Sequence, residues 1–158
     1  MGLLTALALI IFIIEAQIPP LVPVPGVKLG LANIVTVYAM FELGPRDTLM
    51  ILLCRIFLGS IFSGQMMTFF FSLSGGLLCY LVMLLLRKIV TERQIWICSI
   101  FGAIAHNIGQ ILAAIVFTST PGLMIYLPVL IISAILTGAF TGLCAQFLLQ
   151  RLTKKAPL

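Results

Sequence analysis

From Met66 to Leu86, from Ile95 to Phe117 and from Leu123 to Leu149 the chain runs without a single charged side chain. A helix of roughly 20 apolar residues crosses about 30 Å of hydrocarbon, and each of these runs is long enough to do so. Of the 158 residues, 62% are hydrophobic and 8% charged, whereas a soluble domain is about 25% charged. So few charges cannot cover a water-facing surface, which leaves lipid as the solvent. Inside a bilayer every backbone N–H and C=O needs an internal partner, so only helices or closed barrels span it. Barrel strands alternate in polarity over short segments, and these runs do not alternate. The chain therefore reads as all-α, a polytopic membrane protein.

Turn residues divide it into six helices, at about 3–18, 29–43, 48–62, 66–86, 95–117 and 123–149. Pro19-Pro20 closes the first, and the Pro/Gly-rich connector PPLVPVPGVK (19–28) follows. Gly44-Pro45 closes the second and Thr118-Ser-Thr-Pro-Gly122 the fifth, while Pro128 predicts a kink near the start of the sixth. The first three runs are short or carry charge, so the sequence places them inside a bundle where neighbours cover their polar groups. No repeat, low-complexity tract or soluble appendage is visible, and 1–158 reads as a single membrane domain.

Loop charge sets the orientation. Arg46, Arg87, Lys88, Arg93, Arg151, Lys154 and Lys155 fall on one set of connectors and the C-terminus, against Lys28 alone on the alternate set. By the positive-inside rule this puts both termini in the cytoplasm of a cell with a bacterial-type plasma membrane, and the Pro-rich connector outside. The same clustering accounts for the net charge of +5 without a nucleic-acid partner, whose binding needs a continuous basic stripe. The opening MGLLTALALI lacks the basic region of a secretory signal.

Several enzymatic classes are disfavoured. The sequence has no G-x-x-x-x-G-K-[ST] loop for ATP, and its only aspartate is Asp47, so paired-carboxylate magnesium clamps are missing. Cys54, Cys79, Cys98 and Cys144 form no C-x-x-C pair, and the single histidine leaves too few ligands for a metal. The sequence implies no cofactor and no catalytic step of its own.

Polar side chains within spans are costly and therefore mark packing partners or a site. The candidates for substrate binding are Glu15, Lys28, Asn33, Arg55, Gln65, His106, Asn107 and Gln110. At about 1.5 Å per residue they fall mostly in the outer half of the bundle, below the Pro-rich connector. Glu42 and Gln146 lie nearer the cytoplasmic side. His106 and Gln110 stand four residues apart and share a helix face, with Asn107 beside them. This trio is either a strip lining a ligand cavity or a set of interhelical hydrogen bonds. Arg55 either pairs with Glu15, about 7 Å higher by the same rise, or meets an anionic or carbonyl group of a substrate. Gly138-x-x-x-Gly142 is a close-packing motif, and Gly2 with Ala6 gives the first helix a smooth patch suited to a partner's helix or to internal packing.

Four strings taken together carry a resemblance: Val24-Pro-Gly-Val-Lys-Leu-Gly-Leu-Ala-Asn33, Arg55-Ile-Phe-Leu-Gly-Ser60 with Gly64, Ser72-Leu-Ser-Gly-Gly-Leu77, and Gly102-Ala-Ile-Ala-His-Asn-Ile-Gly-Gln110. They resemble the Gx transporter family, often labelled heptaprenyl diphosphate synthase component I, which is similar to substrate-binding S components of energy-coupling factor (ECF) transporters. The resemblance implies a six-helix bundle that captures a small molecule from outside, a vitamin-like compound or an isoprenoid or quinone precursor. It also implies a transmembrane coupling subunit and two cytoplasmic ATPases as partners. The synthase label implies instead an accessory role beside a polyprenyl diphosphate synthase. A self-contained secondary transporter is the third reading, for which Glu15 and Glu42 are the only carboxylates within spans.

Overall fold

The computed structural model describes residues 2–17, 30–64, 66–91 and 94–153, and these are all helix and connecting turn. Six α-helices form: α1 (Gly2–Ala16), α2 (Asn33–Glu42), α3 (Pro45–Ser63), α4 (Met66–Leu86), α5 (Ile95–Thr118) and α6 (Leu127–Thr153). A 3₁₀ helix, Pro121–Tyr126, precedes α6.

Three boundaries differ from the sequence expectation, each for a local reason. α2 begins at Asn33 rather than near 29, because Gly30 takes a left-handed backbone with φ +81°. A turn through Leu31 and Ala32 follows, closed by Asn33 N–H donating to Gly30 C=O at 2.9 Å. The resulting ten-residue helix is about 15 Å long, half a hydrocarbon thickness. α3 begins at Pro45, three residues earlier than 48, since proline's missing N–H is no loss at a first helical position. Asp47 adds an anion to that positive helix end, and the buried Thr48 hydroxyl donates to Gly44 C=O at 2.8 Å. Pro128 is the second residue of α6, where no i−4 carbonyl awaits its N–H. It opens the helix instead of kinking it.

The helices close a ring in the order α1, α3, α4, α5, α6, α2, and the short α2 touches all five others. Missing Cβ atoms set the tightest crossings. A Cβ at Gly109 would lie 2.8 Å from the Ser74 carbonyl oxygen, and one at Gly75 would lie 2.7 Å from the His106 carbonyl oxygen. α4 and α5 thus meet backbone to backbone, and the Ser74 hydroxyl donates to Gly109 C=O at 2.9 Å. On the other side of α5, Gly138 and Gly142 bring α6 down on Trp96, Ser99 and Ile100, with the Ser99 and Thr141 hydroxyls 3.0 Å apart. The Gly138–Gly142 motif therefore serves internal packing.

One apolar cluster, built on Met40, Leu52, Ile56, Met83 and Cys98, fills the end of the bundle that holds the α2–α3 corner. Tyr80 hydroxyl donates there to Pro45 C=O at 3.1 Å, and the Arg87 guanidinium comes close to Gly44. A second cluster, around Phe71, Ile111, Ala114 and Leu130, packs the α4–α5–α6 side. Outward faces are apolar as well: Leu3, Phe57, Ile61, Leu85, Val116, Leu136 and Phe147 are all exposed. Met66–Leu86, Ile95–Thr118 and Pro121–Arg151 are long and apolar enough to cross a membrane. Apolar surface on both the inside and outside of the bundle is the signature of a protein solvated by lipid.

Candidate functional site

Between the two clusters the packing opens into a cavity lined by Phe12 and Glu15 of α1, Gly30, Ala32 and Asn33 at the entry to α2, Arg55 of α3, Ser72 of α4, and His106 and Gln110 of α5. Its empty volume is about 280 Å³ counting the open mouth. The enclosed part has room for about one water molecule. Five helices converge on it, each through a helical stripe that points inward.

On α1 that stripe is Ala8, Phe12 and Glu15, all buried at a spacing of about one turn. The Phe12 ring lies over Gly59, where a Cβ would sit 2.6 Å from it, so a glycine of α3 makes room for the wall of the cavity. Glu15, 4% exposed, accepts the Gly30 N–H on Oε1 and the Ala32 N–H on Oε2, the latter at 3.3 Å. Ala32 provides no side-chain cap to α2, and the first N–H groups of a helix have no partner within it. The Glu15 carboxylate instead binds the turn that leads into α2, and it places a negative charge near the positive end of that helix.

This bears on one of the two partners that the spacing left open for Arg55. Glu15 is engaged with backbone, and no ion pair joins it to Arg55 among the described residues. Both side chains line the same cavity. Arg55 is 3% exposed and its Nε has no hydrogen-bond partner. Asn33, 4% exposed, has neither its Oδ1 nor its Nδ2 partnered. His106 is buried and packed against Gly75. Its ring and the Asn33 amide approach the same point, for a Cβ at Gly30 would be 3.1 Å from Asn33 Nδ2 and 3.6 Å from His106 Cδ2.

Of the residues singled out from the sequence, Glu15, Asn33, Arg55, His106 and Gln110 come together here. Asn107 does not. One residue along a helix is about 100° of rotation, enough to turn its side chain to α6, where Nδ2 donates to Leu130 C=O at 2.8 Å. The trio on α5 is thus two cavity residues and one interhelical tie, a correction to its reading as one strip. Lys28 and Gln65 lie outside the described residues. Gly2 and Ala6 sit on the exposed side of α1 beside Leu3 and Leu7. Sequence reasoning passed over Phe12, Gly30, Ala32 and Ser72 as lining residues. Only Gly30 and Ser72 carried a signal, as small or polar members of the glycine-rich strings.

Buried donors and acceptors without partners are costly, about 1–3 kcal/mol each; Asn33 and Arg55 bring theirs to the cavity, while Asn107 Oδ1 and Gln146 Oε1 are unpartnered away from it. Chemically the arrangement can bind and orient a small polar molecule: a cation, a two-sided amide and an imidazole converge within apolar walls. Among the described residues no group of three or more His, Cys, Asp or Glu side chains is placed to hold a metal. The fold and the cavity together define a helical membrane protein with an internal polar pocket. The chain belongs to the heptaprenyl diphosphate synthase component I family, which it matches over residues 4–148. No curated protein and no solved structure matches it.

Proposed function

We propose that this chain is the substrate-binding component of an ECF-type importer, capturing a small molecule from outside the cell. The observation that carries the reading is the convergence of Asn33 and Arg55, both nearly fully buried with unpartnered polar atoms, on one cavity. A purely structural bundle gains nothing by keeping them there. A ligand that hydrogen-bonds both repays their desolvation on binding.

In this reading the six-helix bundle sits across the plasma membrane with both termini in the cytoplasm, the short α2 covering about half the hydrocarbon thickness. Arg46, Arg87, Lys88 and Arg151 supply the positive-inside signal, and the approach of Arg87 to Gly44 puts the α2–α3 corner and the end of α4 at the same face. The cavity then opens toward the other face, where α1 ends and α2 begins. The chain performs no catalytic step. A transmembrane coupling subunit and two cytoplasmic ATPases supply the energy, and the exposed Gly2–Ala6 patch on α1 is the docking surface for the coupling subunit's helix. Glu15 fastens the entry of α2 to α1, so releasing its two backbone bonds would open the cavity on that side.

The family name favours a second reading, a membrane accessory component associated with heptaprenyl diphosphate synthase. Affinity purification in lipid nanodiscs followed by native mass spectrometry separates the two. The importer reading expects a retained small molecule together with a coupling subunit and ATPases. Co-purification of a soluble aspartate-rich synthase alone, with no small molecule bound, would overturn it in favour of the accessory role.

A further inference from the structure

The sequence leaves the ligand's head group open between an anion and a carbonyl. Two features of the cavity wall decide between them, and the argument rests on the small-molecule-binding reading above. The first is charge. Among the described lining residues the formal charges are one cation, Arg55, and one anion, Glu15. Glu15 is held in place by the Gly30 and Ala32 N–H groups and does not withdraw from the cavity into an ion pair elsewhere. Beside these two described charges a ligand carboxylate would add a second anion, and uncompensated buried charge is strongly disfavoured. A neutral carbonyl oxygen takes the free Arg55 Nε–H without that penalty.

The second feature is Asn33. A side-chain amide presents an acceptor and a donor side by side, and here both are unpartnered on a side chain that is 4% exposed. One acceptor or one donor on the ligand would leave the other atom of Asn33 orphaned. A cis-amide edge, C=O beside N–H, satisfies both at once because it is the mirror of the Asn33 amide. A side chain at Gly30 would crowd this corner, its Cβ lying 3.1 Å from Asn33 Nδ2 and 3.6 Å from the His106 ring. We infer that the cavity selects an uncharged ligand with a planar lactam or cyclic-urea head, its amide edge on Asn33 and a carbonyl oxygen on Arg55.

Four five-membered rings of similar size test this on the full chain in lipid nanodiscs, read by saturation-transfer NMR against empty nanodiscs. They are 2-pyrrolidinone, 2-imidazolidinone, cyclopentanone and cyclopentanecarboxylate. The lactam and the cyclic urea should bind, cyclopentanone at least about tenfold more weakly, roughly 1.4 kcal/mol, and the carboxylate no better than the blank. Asn33→Leu should abolish lactam binding. Asn107→Leu should leave it intact, since that side chain faces α6. Equal or stronger binding of the carboxylate, lost in Arg55→Gln, overturns the neutral-ligand inference while the cavity still counts as a binding site. Binding of none of the four also overturns it. In that case a molecule retained in native mass spectrometry of the same sample keeps the binding role, and an empty protein removes both.

Discussion

Replacing Glu15 with glutamine tests how one carboxylate serves both the fold and the cavity. In the native chain it accepts two backbone N–H groups at the start of α2, each a hydrogen bond to a charged group worth about 1.5–3 kcal/mol. Glutamine keeps one acceptor oxygen, so one of these bonds is lost and the other is weakened to the neutral range of about 0.5–1.5 kcal/mol. The attraction between an anion and the α2 N-terminus, about 0.3–1 kcal/mol, goes as well. The expected loss is about 3–5 kcal/mol, read as the SDS midpoint of unfolding in mixed micelles. A double-mutant cycle with Arg55→Met then tests whether Glu15 and Arg55, which line the same cavity, are coupled. With the guanidinium gone, Glu15→Gln should cost less, by a coupling of at least about 0.5 kcal/mol. Strict additivity of the two substitutions would refute that coupling, and with it the charge argument for a neutral ligand.

Other consequences follow from single contacts. Asn107→Leu removes the 2.8 Å bond to Leu130 C=O and should cost about 0.5–1.5 kcal/mol in the same SDS titration without changing ligand retention. A parallel loss of ligand would mean that Asn107 reaches the cavity after all. Asn33→Leu replaces an amide with two unpartnered atoms by an apolar group of similar volume, so stability should be unchanged or rise by about 1–3 kcal/mol even as binding fails. A clear drop in the unfolding midpoint would show that Asn33 is structural. Gly109→Ala forces a Cβ to within 2.8 Å of the Ser74 carbonyl oxygen and should destabilise by about 1–3 kcal/mol, whereas Gly122→Ala, with nothing within 4 Å, should be silent. Equal effects would disprove the close α4–α5 crossing. Ala6→Phe on the exposed side of α1 should leave the midpoint unchanged and reduce recovery of the coupling subunit in affinity purification; full recovery would remove α1 as the docking face.

The helical membrane architecture was written in the sequence because it depends on properties that each residue carries alone. The transfer free energy of an apolar side chain and the cost of an unpaired backbone group are local. Summed over twenty residues they fix α4 at Met66–Leu86 as expected and α5 to within one residue of its end. They also supplied the short inventory of buried polar groups from which five of the nine lining residues were drawn.

Which of those groups meet is a different kind of fact, and only the tertiary structure decided it. Meeting depends on the rotation of each helix about its axis and on how close the axes come, and no residue sets either by itself. A single step along α5 sends His106 to the cavity and Asn107 to α6. Glu15 and Arg55 were close enough in depth to pair, yet the turn that Gly30 makes offers Glu15 two N–H groups first. The pocket itself exists because glycines at 59, 75 and 109 let backbones and the Phe12 ring approach on either side of it. Hydropathy cannot see a missing Cβ, and the site depends on three of them.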